Sequence, residues 1–386
     1  MIIELRGLQF VNKGAELMLR AILQKLPECG VEYKLAMRHS EKSPKDKVDA
    51  IGALRKVTLQ KNILNLNFVT YIMPKFIRNF IMKKFGVVFE ADIDIVLDGS
   101  GFAYGDQWSS MAIQQLCLEI NRLNKHGKKY IFLPQALGPF SRDKDKEALA
   151  NSLPKAELIF AREKESVKNL EAILASTQNV HHFPDFTNIV KGNLPNYYSN
   201  GNRKFLIIPN NKMLSSKNNN SEWSDRYVNI LVASGKHALS KGYEVTILNH
   251  EGIKDDNICK QIQAALDQDI EIIRESDPLK VKGIIGASRA LICSRFHGCV
   301  SALSQGVPVI GTSWSFKYEQ LYSEYGQRHR LVGSDISENK LANLVEEALD
   351  EGQMELSEEA LEYKKQSMQM WDLVFAAIKN ANLSVK

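Results

Sequence analysis

Two side chains that could hold an anion, Arg295 and His297, come directly after the apolar run Ala290–Cys293. The run is typical of a buried strand, and the small residues at 300–305 are typical of a helix that follows it. A helix start also presents backbone N–H groups that have no partner within the helix. Residues 294–298, Ser-Arg-Phe-His-Gly, therefore predict an anion-binding corner where a strand meets a helix, with Ser294 as its first member.

Two more cations follow predicted strands. Lys317 comes shortly after the strand predicted at 307–310, and Arg162 ends the one predicted at 158–161. A lone histidine is more often a structural residue, but His297 occurs here with cations at the ends of neighbouring strands. Guanidinium, imidazolium and ammonium groups together suit a ligand that carries both a carboxylate and a phosphate.

Several polar turns lie at strand or helix ends in the first half of the chain. Glycines at such places allow close backbone approach to a ligand, and the aspartates could act as a base or orient a hydroxyl. A purely structural turn capped by aspartate is an equal alternative. The candidates are Asn12, Gly14 and Glu16 at the first helix, Asp98, Gly99, Ser100, Gly101 and Asp106 after an apolar strand, and Gln135 before a Gly-Pro turn.

Other chemistries find little support in the sequence. It contains no GxGxxG motif for a nicotinamide cofactor, no P-loop for ATP, and no HExxH or similar metal-ligating set. We therefore expect neither a cofactor nor a metal. The five cysteines are scattered without a CxxC pair, which favours reduced, structural thiols. We predict a cytoplasmic protein, because the start of the chain lacks a signal-peptide pattern and no apolar run is long enough to span a bilayer.

Apolar runs alternate with helical segments in both halves of the 386-residue chain, which predicts α/β architecture with parallel sheets. The polar Asn-rich stretch at 192–202 interrupts the alternation. We predict two tandem Rossmann-like domains, at 1–195 and 203–355, with the site in a cleft between them. A last helix at 356–386 is expected to cross back to the first domain.

Positive charge is concentrated in one segment. The net charge is +5, yet residues 50–89 contain no acidic residue and carry Arg55, Lys56, Lys61, Lys75, Arg78, Lys83 and Lys84. We interpret this part as a basic amphipathic insertion, in which 71–85 interleaves aromatics with cations. The simplest interpretation is a covering helix with lysines reaching solvent. The alternative is contact with an anionic membrane, at its inner face, or with a lipid-linked substrate; nucleic acid is disfavoured because no binding module accompanies the patch.

The chain resembles the polysaccharide pyruvyl transferase family. The resemblance rests on an ordered set of motifs that covers roughly residues 5–320, and the family usually has three glycines where this chain has Gly99-Ser100-Gly101. The motifs are Asn12-x-Gly14-Ala15-Glu16, Asp98-Gly99-Ser100-Gly101 with Asp106, residues 135–140, Arg162-Glu163-x-x-Ser166, Pro184-Asp185, His250-Glu251, residues 294–297, and residues 306–310 with Lys317.

The resemblance implies a GT-B-like fold and transfer of a pyruvyl group from phosphoenolpyruvate to a sugar, which forms a pyruvate ketal and releases phosphate. His297 and Arg295 would bind the donor and His297 would donate a proton, with Arg162, Lys317 and Ser294 as further donor ligands. Asp98 or Asp106 would act as the base. Acceptor contacts fall to Asn12, Gly14, Glu16, Gly99, Ser100, Gly101 and Gln135, and the acceptor would be a free sugar or a lipid-linked oligosaccharide.

Two other functions remain open. One is a glycosyltransferase or epimerase of the same two-domain shape that uses a nucleotide sugar. The other is a membrane-associated scaffold of a polysaccharide assembly complex, built around the basic segment. Neither the acceptor sugar nor the oligomeric state follows from the sequence.

Overall fold

A computed structural model describes residues 1–61, 64–214, 222–313 and 316–385. The chain folds as two compact units. Unit 1 comprises Met1–Val11, Met18–Phe186 and Gln366–Lys386, and unit 2 comprises Asn12–Leu17 and Thr187–Lys365. The first turn of the first helix thus belongs with unit 2, although the sequence pattern placed it within a domain at 1–195.

Unit 1 is built on an eight-stranded sheet with strand order β10-β9-β8-β7-β1-β2-β3-β6, and every neighbouring pair is parallel. Its strands are β1 Ile2–Arg6, β2 Lys34–Arg38, β3 Leu54–Lys56, β6 Val87–Val88, β7 Ile95–Asp98, β8 Lys129–Gln135, β9 Leu158–Ala161 and β10 Val180–His182, and β4 Gln60–Lys61 and β5 Leu64–Asn65 form a separate antiparallel ribbon. Its helices are α1 Lys13–Lys25 (shared with unit 2), α2 Lys45–Ala50, α3 Val69–Ile72, α4 Lys75–Phe85, α5 Ser110–Lys125, α6 Asp143–Ser152 and α7 Lys164–Glu171.

Unit 2 contains a six-stranded parallel sheet with strand order β13-β12-β11-β14-β15-β16. Its strands are β11 Lys204–Ile208, β12 Glu244–Leu248, β13 Glu271–Ile273, β14 Ala290–Cys293, β15 Val309–Thr312 and β16 Leu331–Val332. Its helices are α8 Glu222–Ser240, α9 Ile253–Leu266, α10 Pro278–Ala287, α11 Phe296–Leu303, α12 Phe316–Glu324 and α13 Glu338–Glu351; α14 Glu358–Val385 follows them.

Burial explains why these segments form strands. All five side chains of β11 and all four of β14 are buried, as expected for the centre of a parallel sheet that is covered on both faces. One apolar core contains Ile207, Ile292 and Ile310 from one face of this sheet, and another contains Leu206, Leu291 and Val309 from the other face. The α/β architecture with two tandem Rossmann-like units, which the sequence predicted, is confirmed.

The basic insertion contains more strand than the sequence predicted. Its two ends, β3 and β6, pair in parallel and are the last two strands at one side of the first sheet, with β6 at the edge. Between them the continuous helix expected at 71–85 is interrupted, because Pro74 ends α3 and precedes the first residue of α4. Within the described residues, no helix is both long and apolar enough to cross a membrane.

The end of the chain packs in unit 1. Trp371 on α14 is completely buried and meets the ring of Phe186 edge to face, with 6.1 Å between the ring centroids. Residues 366–385 are part of the first unit, and Trp371 contributes to its core.

Candidate functional site

The carboxyl end of β14 organises the candidate site in unit 2. Ser294 is completely buried, and its hydroxyl oxygen accepts hydrogen bonds from Tyr227 (2.5 Å) and Thr312 (2.7 Å). Its carbonyl oxygen accepts from Asn210 (2.9 Å) and Tyr318 (3.0 Å). These bonds connect β14 with its neighbours and with α8 and α12. Ser294, predicted as a donor ligand, thereby fixes the strand end that carries Arg295.

Arg295 is buried between two carboxylates. Its Nη1 pairs with Glu251, and its Nη2 lies 2.5 Å from Oδ1 of Asp255 and also pairs with Oδ2. Burial lowers the pKa of the Arg295 guanidinium to about 10, so it remains charged at neutral pH. Both terminal nitrogens of the predicted donor clamp are therefore paired with carboxylates of its own unit, and the donor-binding role of Arg295 stays a prediction.

His297 lies in the first turn of α11 and is packed against Gly14 in the first turn of α1. A Cβ atom on Gly14 would overlap Nδ1, Cε1 and Cγ of the His297 ring. Asn12 caps α1 by accepting a hydrogen bond from the N–H of Ala15 (3.0 Å), and its amide donates to Glu251 (3.2 Å). The predicted residues Asn12, Gly14, Arg295 and His297 are therefore brought together within unit 2.

Charged side chains of both signs surround this contact. Lys13 pairs with Glu16 at 3.2 Å and donates to the carbonyl oxygen of Ser276. The pKa of His250 lies well below its ordinary value, because burial disfavours the imidazolium and because Arg295, His297 and Lys13 add repulsion. His250 is consequently neutral at physiological pH.

Lys317 lies on the same side of unit 2. Its Nζ lies 5.0 Å from the centroid of the Phe296 ring, which in turn meets the His297 ring edge to face at 5.5 Å. An ammonium above an aromatic face is held electrostatically, so Lys317 stays close to the start of α11. The neighbouring motif residues Trp314 and Ser315 lie outside the described part of the chain.

Three residues of this site had no role assigned from the sequence. Glu251 was recognised only as part of the His250-Glu251 motif. Lys13 lies between the predicted acceptor contacts Asn12 and Gly14 and was not itself predicted to bind a ligand. Asp255, completely buried and paired with Arg295, gives no local signal because it occupies an ordinary helix start. A buried arginine needs carboxylate partners, which is the one general argument that could have led to Glu251 and Asp255.

The glycine-rich turn predicted in the first half lies in unit 1 and is organised by Asp98. This carboxylate is completely buried and accepts hydrogen bonds from Tyr130 (2.6 Å), Tyr104 (2.7 Å) and the hydroxyl of Ser100 (2.5 Å). Burial, reinforced by the Asp98 charge, raises the pKa of Tyr104. Gly99 and Gly101 flank Ser100, and Gly7 with φ 73° leaves the room that Ser100 fills.

Asp106 is the more accessible of the two aspartates predicted as base, with a side chain that is 25% exposed. It accepts a hydrogen bond from the N–H of Ser141 (2.8 Å) and so holds the turn after Pro139. Gln135 is completely buried and donates to the carbonyl oxygen of Asp98 (3.2 Å). The acceptor and base roles of these residues stay predictions.

Arg162 also lies in unit 1, where it is buried between Glu163 (2.9 Å) and Asp185 (3.3 Å). Glu163 accepts from the hydroxyl of Ser166, which in turn accepts the N–H of Leu137 (2.9 Å). This network supports the turn that follows β8. Its residues belong to the Arg-Glu-x-x-Ser and Pro-Asp motifs, so hydrogen bonds and ion pairs within unit 1 explain why these residue types occur together. The donor-binding role of Arg162 stays a prediction.

Unit 1 also contains a polar cavity of about 280 Å³ at the carboxyl ends of β1, β2 and β3. Its floor is a buried ion cluster in which Lys56 pairs with both Glu4 and Glu119, and Arg6 also pairs with Glu119. Arg38 and Lys42 add positive charge at its rim. In open parallel sheets, ligands bind outside the carboxyl ends of the strands, so this cavity is a place where unit 1 could receive a substrate.

The two Rossmann-like units, each built on a parallel sheet, place the chain in the GT-B-like fold class. Solved structures share this fold over nearly the whole chain. A UDP-N-acetylglucosamine 2-epimerase from Methanocaldococcus jannaschii is 12% identical with a TM-score of 0.61, covering 97% of this chain and 99% of its own. A putative UDP-N-acetylglucosamine 2-epimerase from Listeria monocytogenes is 13% identical with a TM-score of 0.57, covering 95% and 90%. A glycosyltransferase from Rickettsia africae is 13% identical with a TM-score of 0.57, covering 99% and 97%.

Sequence comparison is more specific than fold. The profile of the polysaccharide pyruvyl transferase family matches residues 12–315, which is most of the chain. The protein therefore belongs to the polysaccharide pyruvyl transferase family, and the resemblance noted from its motifs is confirmed. A search of curated proteins finds no match.

Proposed function

We propose that this protein transfers a pyruvyl group from phosphoenolpyruvate to a sugar of a polysaccharide or of its precursor. The observation that carries the proposal is the contact between His297 and Gly14. It joins the first turns of α1 and α11, and each helix start carries partial positive charge. Together with Lys13, Arg295 and Lys317, this arrangement suits a small ligand with several negative charges.

Phosphoenolpyruvate has such charges on a phosphate and a carboxylate. We assign the phosphate to the start of α11 and His297, where backbone N–H groups and an imidazole can donate to its oxygens. We assign the carboxylate to Nη1 of Arg295, where it takes the place of Glu251 while Asp255 keeps Nη2. A planar guanidinium can exchange one carboxylate for another without losing its orientation.

The reaction then needs a proton at the methylene carbon of the donor. As this carbon becomes a methyl group, one hydroxyl of the acceptor attacks the adjacent carbon; a second hydroxyl attacks the same carbon, and the C–O bond to phosphate breaks. The two hydroxyl protons account for the new methyl hydrogen and for the proton taken by the departing phosphate. We assign proton donation to His297, since imidazole exchanges protons near neutral pH.

The acceptor sugar is the part of the proposal that rests on family membership. Polar groups in unit 1 that could receive it are Ser100, Asp106 and the rim of the 280 Å³ cavity. Both carboxylate oxygens of Asp98 already accept hydrogen bonds from tyrosine and serine hydroxyls, so Asp98 is poorly placed to accept a proton from a substrate. Asp106 is accordingly the better candidate for the base.

The experiment that tests the proposal is product analysis. The protein is incubated with phosphoenolpyruvate and a panel of sugars, nucleotide sugars and lipid-linked sugars. We expect one acceptor to gain the mass of pyruvate less water, with an equal amount of phosphate released.

The second candidate is an epimerase or glycosyltransferase that uses a nucleotide sugar, and the likeness in fold to the UDP-N-acetylglucosamine 2-epimerases favours it. Thermal stabilisation by UDP- or GDP-sugars, without any effect of phosphoenolpyruvate, would contradict pyruvyl transfer and support this alternative.

A further inference from the structure

The insertion between β3 and β6 exposes an unusual amount of apolar surface. Six large apolar side chains within residues 64–85 are at least half exposed, which equals the number in all other described parts of the chain together. They are Leu64, Phe68, Ile72, Phe76, Phe80 and Phe85, and we call them, with Lys75, Lys83 and Lys84, the basic apolar face. No residue of α4 is buried. Soluble monomers rarely expose contiguous apolar patches of this kind unless the patch binds something.

The charge of this face has one sign. Lys75, Lys83 and Lys84 are exposed, and residues 50–89 contain no aspartate or glutamate. Among residues 1–61, 64–214, 222–313 and 316–385, these three lysines form no salt bridge. The ammonium of Lys84 lies 5.5 Å from the ring centroid of Phe80 and 5.4 Å from that of Phe85, so its charge is carried directly above the aromatic surface.

The opposite side of the insertion is anchored by polar contacts. Arg78 pairs with Asp92 at 2.9 Å and donates to the carbonyl oxygen of Thr70, and Tyr71 stacks on His126 with 3.8 Å between the ring centroids. These contacts orient α3 and α4 on unit 1. The phenylalanines on the outer side are therefore exposed because these contacts fix the orientation of the helices.

We propose that the basic apolar face docks on the surface of an anionic phospholipid bilayer. Phenylalanine and isoleucine side chains of the face enter the boundary between headgroups and acyl chains, and the three lysines of α4 contact lipid phosphates. This places unit 1 at a membrane surface without a membrane-spanning helix.

Charge also argues against a second copy of the chain as the occupant. A two-fold symmetric contact would bring the three lysines of one face against the same three of its partner, with no acidic residue in residues 50–89 to compensate. Like charges placed across an interface oppose association. An anionic surface compensates all three charges at once.

Co-sedimentation with vesicles tests the proposal on the full chain. The vesicles are phosphatidylcholine alone or phosphatidylcholine with about 30% phosphatidylglycerol, at physiological salt and at high salt. We expect binding to the anionic vesicles, weaker binding at high salt, and little binding to phosphatidylcholine alone. The variant K75Q/K83Q/K84Q should partition onto anionic vesicles roughly 100-fold more weakly. Its control, K47Q/K144Q/K236Q, removes the same charge from exposed lysines elsewhere and should bind like the wild type.

A second pair of variants separates membrane insertion from charge attraction. F76S/F80S should lose most vesicle binding, and the control L194S/L361S, which changes two exposed apolar side chains elsewhere, should keep it. Absence of binding to anionic vesicles, or equal binding by the lysine variant and its control, would overturn the proposal. A dimer in light scattering that F76S/F80S converts to a monomer would overturn it in favour of a second copy.

Discussion

The imidazole of His297 occupies the space in which any residue other than glycine at position 14 would carry its Cβ. Two helices that are distant in sequence, α1 and α11, thus begin at the same place. The contact explains why a glycine opens the first helix, although glycine is a poor helix former. A substitution at position 14 should therefore displace the His297 ring while the histidine itself is retained.

Gly14→Ala should reduce turnover while the fold is retained. The added methyl group displaces the His297 ring, and small displacements of a catalytic group cost on the order of 100-fold in rate. Alanine gains about 1 kcal/mol of helix propensity over glycine, which offsets part of the strain. Phosphate release and thermal unfolding, measured together, check this. Full activity of Gly14→Ala would show that the position of His297 does not matter.

Asp255→Asn should strongly destabilise unit 2. Asp255 is completely buried and pairs with the buried Arg295, and removal of one partner of a buried ion pair typically costs about 3–5 kcal/mol. The neighbouring Asp256 makes partly exposed pairs with Lys260 and Arg274 and provides a matched control. Asp256→Asn should leave the midpoint of denaturant unfolding almost unchanged. Equal midpoints for the two variants would contradict the account of the Arg295 pair.

Glu251→Gln should lower the KM for phosphoenolpyruvate. Glu251 holds Nη1 of Arg295, where we assign the donor carboxylate, and its charge opposes an anionic ligand. Neutralising it should lower the KM severalfold, because a neutral amide competes less strongly than a carboxylate for the guanidinium, and each factor of ten corresponds to about 1.4 kcal/mol. Initial rates over a range of donor concentrations provide the measurement. An increased KM would mean that Glu251 is needed to orient Arg295 for the donor.

His250 should make stability depend on pH. Its pKa is depressed in the folded protein, whereas the unfolded chain takes up a proton near the ordinary value of 6.5. The unfolded state therefore binds more protons below pH 6.5, and stability falls as the pH is lowered, by up to about 1.4 kcal/mol per pH unit. His250→Gln should flatten this dependence relative to wild type in denaturant unfolding at pH 8, 6 and about 5. The exposed His329→Gln is the control, and parallel curves for wild type and His250→Gln would contradict the prediction.

The strands of the site could be predicted from the sequence. The apolar run at 290–293 predicted the bounds of β14, because a strand that is buried on both faces needs such a run. Since Arg295 and His297 follow this run, their position at the end of the strand could also be predicted. The local sequence pattern does not predict contacts between residues that are distant in the sequence. The bonds from Arg295 to Glu251 and Asp255, and the membership of Asn12–Leu17 in unit 2, depend on how distant segments meet.

The basic insertion illustrates the same limit. Its composition predicted an amphipathic surface, and the exposed phenylalanines agree with that interpretation. Strands β3 and β6 are only three and two residues long, so they lack the periodicity that identifies longer strands. Pro74 marked the interruption of the helix, since proline disfavours helical conformation in the residue before it.

The central claim is that unit 2 binds phosphoenolpyruvate through His297, and calorimetric titration tests it most directly. Wild-type protein is titrated with phosphoenolpyruvate and, separately, with UDP-N-acetylglucosamine, and the titrations are repeated with His297→Gln and with the exposed control His329→Gln. We predict that wild type and His329→Gln bind phosphoenolpyruvate, that His297→Gln binds it at least about tenfold more weakly, and that none of them responds to the nucleotide sugar. Unchanged binding by His297→Gln, or binding of the nucleotide sugar alone, would contradict the claim.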